Sequence, residues 1–426
     1  MEPRPGTGSF PPSRTFWLFL SQVLAADRSC REVVRKFLAW LVVHEGPKAS
    51  PKTGAYCKAR RRLRLGDIEA AYRQVAGAVP DSGRQGAWFG RHVKVFDGSS
   101  VSMPDTEANQ ERYPQPTTQK PGCGFPVMRI VAGFSLATGA MLEVAKGALT
   151  VSERTLFRSL WPLLSSGDVA LTDCGFCSYA DFHFLGQKGV ECVMRNHQRR
   201  KVGIEPVKTF GKGDRLIKWL KGKPCPTWLT KEQWAAVPAQ LLVREITFTV
   251  DVPGFRSKTL VVVTTLLDAR RFPKHAFVEL YRRRWMVELF LRDMKTTMGM
   301  EVLRCKTPAM VDKELAMYLV AYNLVRALLL QAARTKGLSP YRLSFKGTVA
   351  TIRRWAPLMA AANLPSHKCE LMRRALIDAI ARDPVPLRPN RAEPRARKRR
   401  PKNYQLLNKP RQLFKESPHR NRYTKP

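Results

Sequence analysis

The chain has 426 residues, and its 74 lysines and arginines against 34 aspartates and glutamates give a formal net charge of +40. Such self-repulsion disfavours a compact protein without an anionic partner, and nucleic acid fits best, although ribosomal and membrane-surface proteins share this charge. Nine scattered cysteines argue against a disulfide framework and favour free thiols in a reducing compartment.

Two further classes are disfavoured. No segment reaches the ~18 uninterrupted apolar residues of a membrane span, and the run over 317–333 carries Asn323 and Arg326, which predicts a buried core helix and no membrane partner. Cys174 and Cys177 form a single CxxC pair, whereas structural zinc needs four ligands. The N-terminus lacks the ordered regions of a signal peptide, which predicts an intracellular protein.

Residues 1–88 are predicted to be a helical region that binds DNA. Apolar residues recur at helical spacing in TFWLFLSQVLAA and REVVRKFLAWLV. A turn, HEGPKASPKTGAY, leads to the basic stretch YCKARRRLRLGDIEAAY. A short helix, a turn and an arginine-rich helix can form a DNA-binding unit. The alternative is a solvated basic helix on an ordinary helical cap.

Residues 89–196 predict a mixed α/β sheet. RHVKVFDGSSV alternates and is predicted to be a strand ending at Asp97, while a hairpin is predicted around Thr138 and Gly139. DVALTDCGF alternates in the same way up to Asp173, and a helix (SYADFHFLGQKG) and a strand (VECVMRNH) follow. Three successive strands and then alternating helix and strand indicate a mixed sheet with helices packed against it.

Four segments follow. Residues 197–271 predict a mostly β insertion that is not a continuation of the sheet, because Lys, Gly and Pro precede strand-like ITFTVDVPGF and KTLVVVTTLL. Long helices are predicted over 272–307 and 308–387. The tail, 388–426, has fourteen Lys/Arg against two Glu and many prolines, which predicts disorder in the absence of a partner.

Asp97 and Asp173 are candidate metal ligands. Cutting a phosphodiester needs an activated nucleophile, a stabilised leaving oxygen and neutralised phosphate charge, which two divalent ions ~3.5–4 Å apart supply. Mg²⁺ prefers oxygen ligands. Each aspartate follows an alternating apolar strand and stands close before a glycine. A single such aspartate is more often a turn former or a helix cap, so the pair needs a third ligand.

Glu288 is the candidate third ligand, within AFVELYRRRWMVELFLRDMKTTMG. At about 100° per residue of a continuous helix, Tyr281, Arg284, Glu288 and Lys295 fall within an arc of about 60°. Three apolar residues fall opposite and predict a buried face: Met286, Phe290 and Met294. Carboxylate beside cations suits metal binding next to a phosphate. The alternative is a solvated face with Arg–Glu pairing.

The spacing Tyr-x2-Arg-x3-Glu-x6-Lys, read as Tyr281, Arg284, Glu288 and Lys295, resembles the motif at the last carboxylate of the DDE transposases of the insertion-sequence-4 family. FDGSSVSMPDTEANQ and LTDCGFCSYADF resemble the regions of that family's two aspartates. CREVVRKFLAW, SPKTGAYCKARRRL and the C-terminal RPNRAEPRARKRRPKNYQLLNKPR are similar to it as well, so the resemblance extends over nearly the whole chain.

The resemblance implies a ribonuclease-H-like catalytic core, divided by a mostly β insertion between the second aspartate and the glutamate. It implies that three carboxylates are catalytic and bind Mg²⁺, with Mn²⁺ able to substitute: Asp97, Asp173 and Glu288. It also implies DNA-phosphate contacts near the transposon end from Tyr281, Arg284 and Lys295.

The implied reaction is hydrolysis at the transposon end, attack by the freed 3′-OH and strand transfer into target DNA. The implied partners are double-stranded DNA, as terminal inverted repeats and target, and a second copy of the chain in a synaptic homodimer, with 308–387 as a possible dimerisation region. The implied location is the bacterial cytoplasm, at the nucleoid. Two other hypotheses are a catalytically inactive DNA-binding relative and a metal-dependent nuclease that cuts without joining.

Two positions depart from the family pattern. Cys174 follows the second aspartate, where close relatives commonly have Arg-Gly. Relatives that form DNA hairpins place a Trp before an apolar strand to hold a flipped base, whereas Lys258 and Thr259 precede LVVVTT here. Three other tryptophans are candidates for stacking or for core packing: Trp219, Trp228 and Trp234.

Overall fold

The computed structural model describes residues 9–78, 87–196, 204–250, 259–361 and 365–386, with Leu407, Lys409, Pro410 and Leu413. The predictions for most of the tail, and for the junction before LVVVTT, therefore lie outside the described residues. The helices are α1 Pro12–Leu24, α2 Cys30–Val43, α3 Gly54–Arg62, α4 Leu65–Ala78, α5 Glu107–Arg112, α6 Glu153–Ser159, α7 Tyr179–Gln187, α8 Lys231–Ala236, α9 Lys274–Arg283, α10 Met286–Arg292, α11 Pro308–Thr335, α12 Phe345–Ala361 and α13 Ser366–Ala381.

The strands form one mixed sheet in the order β3-β2-β1-β4-β5-β9-β8-β7-β6. They are β1 Val93–Ser102, β2 Val127–Ser135, β3 Met141–Ala148, β4 Val169–Thr172, β5 Glu191–Arg195, β6 Ile204–Gly211, β7 Asp214–Leu220, β8 Gln240–Thr249 and β9 Thr259–Thr264. β1, β2 and β3 are antiparallel neighbours, while β4 runs parallel to both β1 and β5. The predicted mixed α/β sheet is confirmed.

The prediction that the segment after residue 196 does not continue this sheet is wrong. β9 pairs antiparallel with β5 through Val193↔Thr264, and β8, β7 and β6 follow outward. The edge of β5 would otherwise expose unpaired backbone groups, which β9 satisfies. The composition of a segment predicts strands, but it does not specify which edge they pair with.

Alternating side chains divide the sheet into two faces, each with its own core. Val95 and Leu171 point into the larger core with helices α1, α4, α9, α10 and α11. Phe96 and Ala170 point into the other core, with residues of α6, α7 and α8. The architecture has three layers, and helices from both the N- and C-terminal parts of the chain cover one face.

Helix α11 is the centre of the larger core. It has the length and apolar composition of a membrane span, but 78% of its apolar window is buried inside the protein, as in a core helix. Asn323 accepts a hydrogen bond from the Met141 N–H and donates to the Met141 carbonyl, each at 2.9 Å. A buried polar side chain is thereby satisfied, and the predicted core helix over 317–333 is confirmed.

The predicted N-terminal helices are present as α1 to α4. Ser29 caps α2 by accepting a hydrogen bond from the Glu32 N–H. Arg28, between α1 and α2, donates to the Gly299 carbonyl and to the Tyr318 hydroxyl, the latter at 2.7 Å. The N-terminal helices are therefore attached to the segment that follows α10 and to α11. Their role in DNA binding stays a prediction.

Candidate active site

Asp97 and Asp173 lie side by side at the end of a parallel strand pair. The register pairs Val93 with Val169 and Val95 with Leu171, so its continuation places Asp97 beside Asp173. Neighbouring strands are ~4.8 Å apart. Because side chains alternate, both carboxylates lie on the face of Val95 and Leu171, which α9, α10 and α11 cover.

The two aspartates differ in local structure. Asp173 follows Thr172, the last residue of β4, as predicted. Asp97 does not end its strand, because β1 continues to Ser102 and Asp97 pairs with Ala132 of β2. That prediction is wrong because the hairpin partner β2 supports β1 beyond the point where β4 stops. Asp97 is consequently held by β2 on one side and is open on the other, towards Asp173.

Glu288 lies on α10, which does not continue α9 as one regular helix. α9 ends at Arg283, α10 begins at Met286, and a π-helical turn covers Asp293–Thr297. At the junction, the Val287 N–H bonds the Arg284 carbonyl and the Glu288 N–H bonds the Trp285 carbonyl, both three residues back. These tighter turns and the wider π turn change the angular period, so the predicted single face at about 100° per residue is wrong. Of the predicted buried face, Phe290 and Met294 are fully buried.

The structure nevertheless brings the motif residues close to the aspartates. Tyr281 is 1% exposed and donates from Oη to Asp173 Oδ1 over 3.5 Å. Arg284 is 5% exposed, and its Nη2 lies 3.4 Å from Glu288 Oε1. Glu288 itself has a side chain that is 56% exposed. The Arg–Glu pairing of the alternative interpretation is thus present, but Arg284 is buried rather than solvated.

Lys295 reaches the same face from the π turn. Its Nζ donates to Ser99 Oγ at 3.0 Å, and Ser99 lies two residues after Asp97 on the same side of β1. The π turn therefore places the Lys295 cation next to β1, the strand that bears Asp97. All six residues that the sequence singles out border one region of the sheet.

Burial and the neighbouring charged groups act on the ionisation of Asp97. Burial raises the pKa of Asp97 to about 6, while Arg284 and the Gly98 N–H, 2.8 Å from Oδ1, oppose the rise. Glu288 and Asp173 raise the pKa further by like-charge repulsion. Such mutual repulsion is expected where carboxylates share a site.

The donor chemistry of this region fits a hard divalent ion. In the part of the chain that the structure describes, no three His, Cys, Asp or Glu side chains are close enough to hold a metal ion as they stand. Asp97 accepts from the Gly98 N–H instead, and Glu288 pairs with Arg284. The three groups are all carboxylates, the donors that Mg²⁺ prefers, and a cation would relieve the repulsion at Asp97.

Two features of the site were missed or left open by the sequence. Arg195 ends β5, in register beside Asp173, and its Nη1 lies 3.9 Å from Asp173 Oδ1. The signal was the arginine at the end of VECVMRNH, at the same sheet edge as LTD. Cys174 is half-buried, and burial together with the neighbouring charge of Asp173 raises the pKa of its thiol. The departure from the family pattern therefore places a neutral thiol, rather than a cation, next to this carboxylate.

The candidate tryptophans lie elsewhere. Trp219 and Trp234 are buried in the core on the opposite face of the sheet, where both rings contact Tyr179. Trp228 packs at that core too, with the Arg158 guanidinium 4.1 Å from its ring centroid. Core packing accounts for all three.

Comparisons of the sequence with known proteins give one consistent result. The family model described as "Transposase DDE domain" matches residues 88–324, a span that contains all six candidate residues. Transposase InsG for insertion sequence element IS4, from Escherichia coli (strain K12), is 27% identical over 398 residues, which cover 92% of this chain and 86% of that protein. The putative transposase InsZ of the same organism is 29% identical over 140 residues, or 32% of this chain and 46% of that protein. A solved structure, the piggyBac transposase synaptic complex with hairpin DNA, gives a TM-score of 0.40 at 10% identity, covering 89% of this chain and 87% of that one.

Proposed function

The chain belongs to the DDE transposases, and we propose that it cuts transposon ends and joins them to target DNA through Asp97, Asp173 and Glu288. It is a DNA transposase that acts on DNA with a divalent metal cation. The observation that carries the residue assignment is the in-register placement of Asp97 beside Asp173, with Glu288 acting electrostatically on Asp97.

The three carboxylates would hold Mg²⁺, with Mn²⁺ as a substitute. When bound, the metal would supply an activated nucleophile, a stabilised leaving oxygen and neutralised phosphate charge. Asp97 is held in place by β2, and Asp173 by its hydrogen bond from Tyr281. The Glu288 side chain is 56% exposed, against 36% for Asp173, so Glu288 would complete the ligand set by leaving Arg284.

The cations around the carboxylates would bind the DNA backbone. Lys295, fixed by Ser99, and Arg195, beside Asp173, lie at the open edge of the site. Arg284 would be released towards a phosphate when Glu288 turns to the metal. Tyr281 is buried against Asp173, so its proposed phosphate contact requires a local movement on DNA binding.

The core is proposed to be ribonuclease-H-like, with a β-rich insertion between Asp173 and Glu288. This proposal is supported by strands β1 to β5, three antiparallel and two parallel, and by the four further strands between β5 and α9. The DNA partners are proposed to be terminal inverted repeats and target DNA, bound by a synaptic homodimer in the bacterial cytoplasm at the nucleoid.

Conservative substitutions test the assignment. Asp97→Asn, Asp173→Asn and Glu288→Gln should each remove cleavage of a DNA carrying the element's own ends, because each removes one charged metal ligand. Gel-shift binding to the same DNA should persist. Asp67→Asn, at an exposed aspartate of α4, is the matched control and should cut normally. Normal cutting by any one of the three variants would show that its residue is misassigned.

Product analysis separates transposition from simple cutting. The wild-type protein should give products in which the cut 3′ end is joined to target DNA. Cutting of the ends and joining to target DNA should both disappear when a chelator is added and return with Mg²⁺ or Mn²⁺. Cut ends without joined products would support the nuclease hypothesis, and binding without either would support the inactive relative.

A further inference from the structure

The chain reverses direction directly after the π turn, at Gly299. Gly299 has a φ of 81°, a left-handed backbone conformation that favours glycine. The reversal lets the N–H groups of Met300 and Glu301 donate to the carbonyls of Met294 and Lys295, each at 3.1 Å. The backbone position of Lys295 is therefore tied to that of Gly299.

Arg28, in the loop between α1 and α2, contacts Gly299 directly. Its Nη1 donates to the Gly299 carbonyl and to the Tyr318 hydroxyl, the latter at 2.7 Å. A Cβ on residue 299 would overlap the Arg28 guanidinium, which is a second reason why this position needs glycine. Tyr318 is 1% exposed on α11, so the hydroxyl that accepts from Arg28 is itself held in the core.

Arg28 is also fixed within the N-terminal helices. Gln22 of α1 is buried and donates from Nε2 to the Arg28 carbonyl at 2.8 Å. The next residue, Ser29, caps α2. Asp27 and Arg304 form an ion pair nearby, but both side chains are about half exposed, so this pair contributes little. The link from the N-terminal helices is therefore carried by Arg28 rather than by the surface ion pair.

The contacts of Arg28 indicate that its side chain positions another segment and does not neutralise a charge. Among the residues that the structure describes, its two side-chain acceptors are both neutral, a carbonyl and a phenol. A guanidinium is planar and presents its N–H donors in a fixed geometry, so it can set the distance between two elements. The two elements here are the N-terminal helices and the turn that carries Lys295.

We propose that Arg28 is a positioning residue for cleavage of the transposon end, because it holds the Lys295 turn against the N-terminal helices through Gly299. This inference rests on the proposed function. DNA bound by the N-terminal helices would meet a Lys295 whose backbone is already in place. Loss of Arg28 leaves the turn with its own hydrogen bonds but detaches it from these helices. The expected consequence is slower cleavage of bound DNA, with no loss of DNA affinity.

Hydrogen exchange tests the link without DNA or catalytic activity. In Arg28→Gln, the amides of Met300 and Glu301 should exchange about tenfold faster than in the wild type, because their turn opens more often. Arg28→Lys keeps one donor for the Gly299 carbonyl and should restore part of the protection. Val33→Ala is the matched control, because it loosens the core between α2 and α3 without touching Gly299, and it should leave both amides protected. Equal protection of these amides in Arg28→Gln and in the wild type would overturn the proposal.

Single-turnover cleavage of end DNA at saturating protein separates positioning from binding. Arg28→Gln should slow cleavage by about 10- to 100-fold at unchanged end affinity, since a small misplacement of a catalytic segment costs rate. Arg154→Gln, at an exposed arginine of α6 on the opposite face of the sheet, is the control and should cut at the wild-type rate.

Two outcomes of the cleavage assay would overturn the proposal. The first is a wild-type rate in Arg28→Gln. The second is a fall in end affinity at an unchanged saturated rate, which would make Arg28 a DNA contact. A wild-type protein that cuts no ends would contradict the proposed function, and the exchange of Met300 and Glu301 would then decide the role of Arg28.

Discussion

Tyr281 illustrates how a residue of the motif acts in the protein before DNA arrives. Its ring is packed in the larger core, and burial raises the pKa of its hydroxyl well above the ordinary value, so the group stays a neutral donor. The hydroxyl reaches Asp173 over a long 3.5 Å. The side chain therefore has two separable contributions, a large one from the ring to packing and a small one from the hydroxyl to the position of Asp173.

Substitution of Tyr281 should separate these contributions. Tyr281→Phe removes one long hydrogen bond, so the free energy of unfolding should fall by less than about 1 kcal/mol, and cleavage should slow while end binding persists. Tyr281→Ala should cost about 3–5 kcal/mol, because it leaves a cavity in the core. Thermal unfolding and cleavage rates measure both. A loss of end binding in Tyr281→Phe, equal to that in Lys295→Ala, would show that the proposed phosphate contact of the hydroxyl matters more than its bond to Asp173.

At the scale of elements, the π turn is attached to α11 by a buried ion pair. Asp293 Oδ2, at the start of the turn, lies 3.2 Å from Arg326 Nη2. Arg326 also donates from Nε to the Tyr322 hydroxyl at 2.9 Å and lies over the Phe290 ring at 4.7 Å. The segment that carries Glu288 and Lys295 is therefore fixed to the central helix by contacts outside the motif itself.

Substitution of Asp293 and substitution of Arg326 should change the free energy of unfolding in different ways. Asp293→Asn leaves Arg326 as a buried cation that cannot lose its proton, so we expect the free energy of unfolding to fall by about 3–5 kcal/mol at a pH where Asp293 is ionised. Arg326→Met leaves a carboxyl whose pKa burial already raises to about 6 against the pull of Arg326. Without Arg326 the pKa rises further, so that a proton can neutralise the carboxyl.

The pH dependence follows from the direction of the shift. The pKa of Asp293 is higher in the folded protein than its ordinary 3.8, so the folded state binds the proton more tightly. Its contribution to stability is present below about pH 4 and is lost as pH rises through the folded pKa. Urea unfolding should therefore show that Arg326→Met costs less at about pH 5 than at about pH 8. Equal costs at the two pH values would contradict this explanation.

The helices and strands themselves could be predicted from the sequence more readily than the way in which they pair and pack. The alternation of apolar residues predicts β1, β4 and the position of Asp173, because alternation is a local pattern in the sequence. The break at Arg284 and Trp285 contains no Gly or Pro. The π turn begins at Asp293, whose ion-pair partner Arg326 lies 33 residues later in the chain, so that contact has no local signal. The pairing of β5 with β9 is likewise a long-range event. The site residues could be found from spacing and resemblance, whereas the burial of Tyr281 and Arg284 could not.

At the scale of the molecule, one helical layer covers the catalytic face of the sheet. Helices that precede β1 and helices that follow β9 both belong to this layer. Arg28, from the N-terminal helices, bonds the Gly299 carbonyl just after the π turn, and Arg304 lies 3.8 Å from Asp27. Arg353 of α12 donates to the Leu24 carbonyl of α1. DNA held by the N-terminal region would therefore be bound by helices in direct contact with the segment that carries Lys295.

The distribution of charge gives the last prediction. Residues 388–426 have fourteen Lys/Arg against two Glu, and so contribute +12 of the net +40. Each phosphate that a cation neutralises adds about 0.9 to the slope of log affinity against log salt. Deletion of 388–426 should therefore weaken non-specific DNA binding and flatten that slope by about 0.9 for each phosphate that the tail no longer neutralises, while the position of cleavage stays the same.

A tail of equal length with its Lys/Arg replaced by Gln separates the effect of losing the tail's charge from the effect of losing its residues. The Leu407 N–H bonds the Cys123 carbonyl at 3.4 Å, so deletion also removes a hydrogen bond to the core, which the substituted tail can keep. If charge is the cause, both variants should show the same flattened slope, measured by fluorescence anisotropy from low to physiological salt. If the slope stays steep in both, the phosphate contacts belong to the remaining +28. The basic helix α3 then becomes the region to test next, because it has exposed cations and its Arg61 carbonyl accepts a hydrogen bond from Lys313 of the core helix α11.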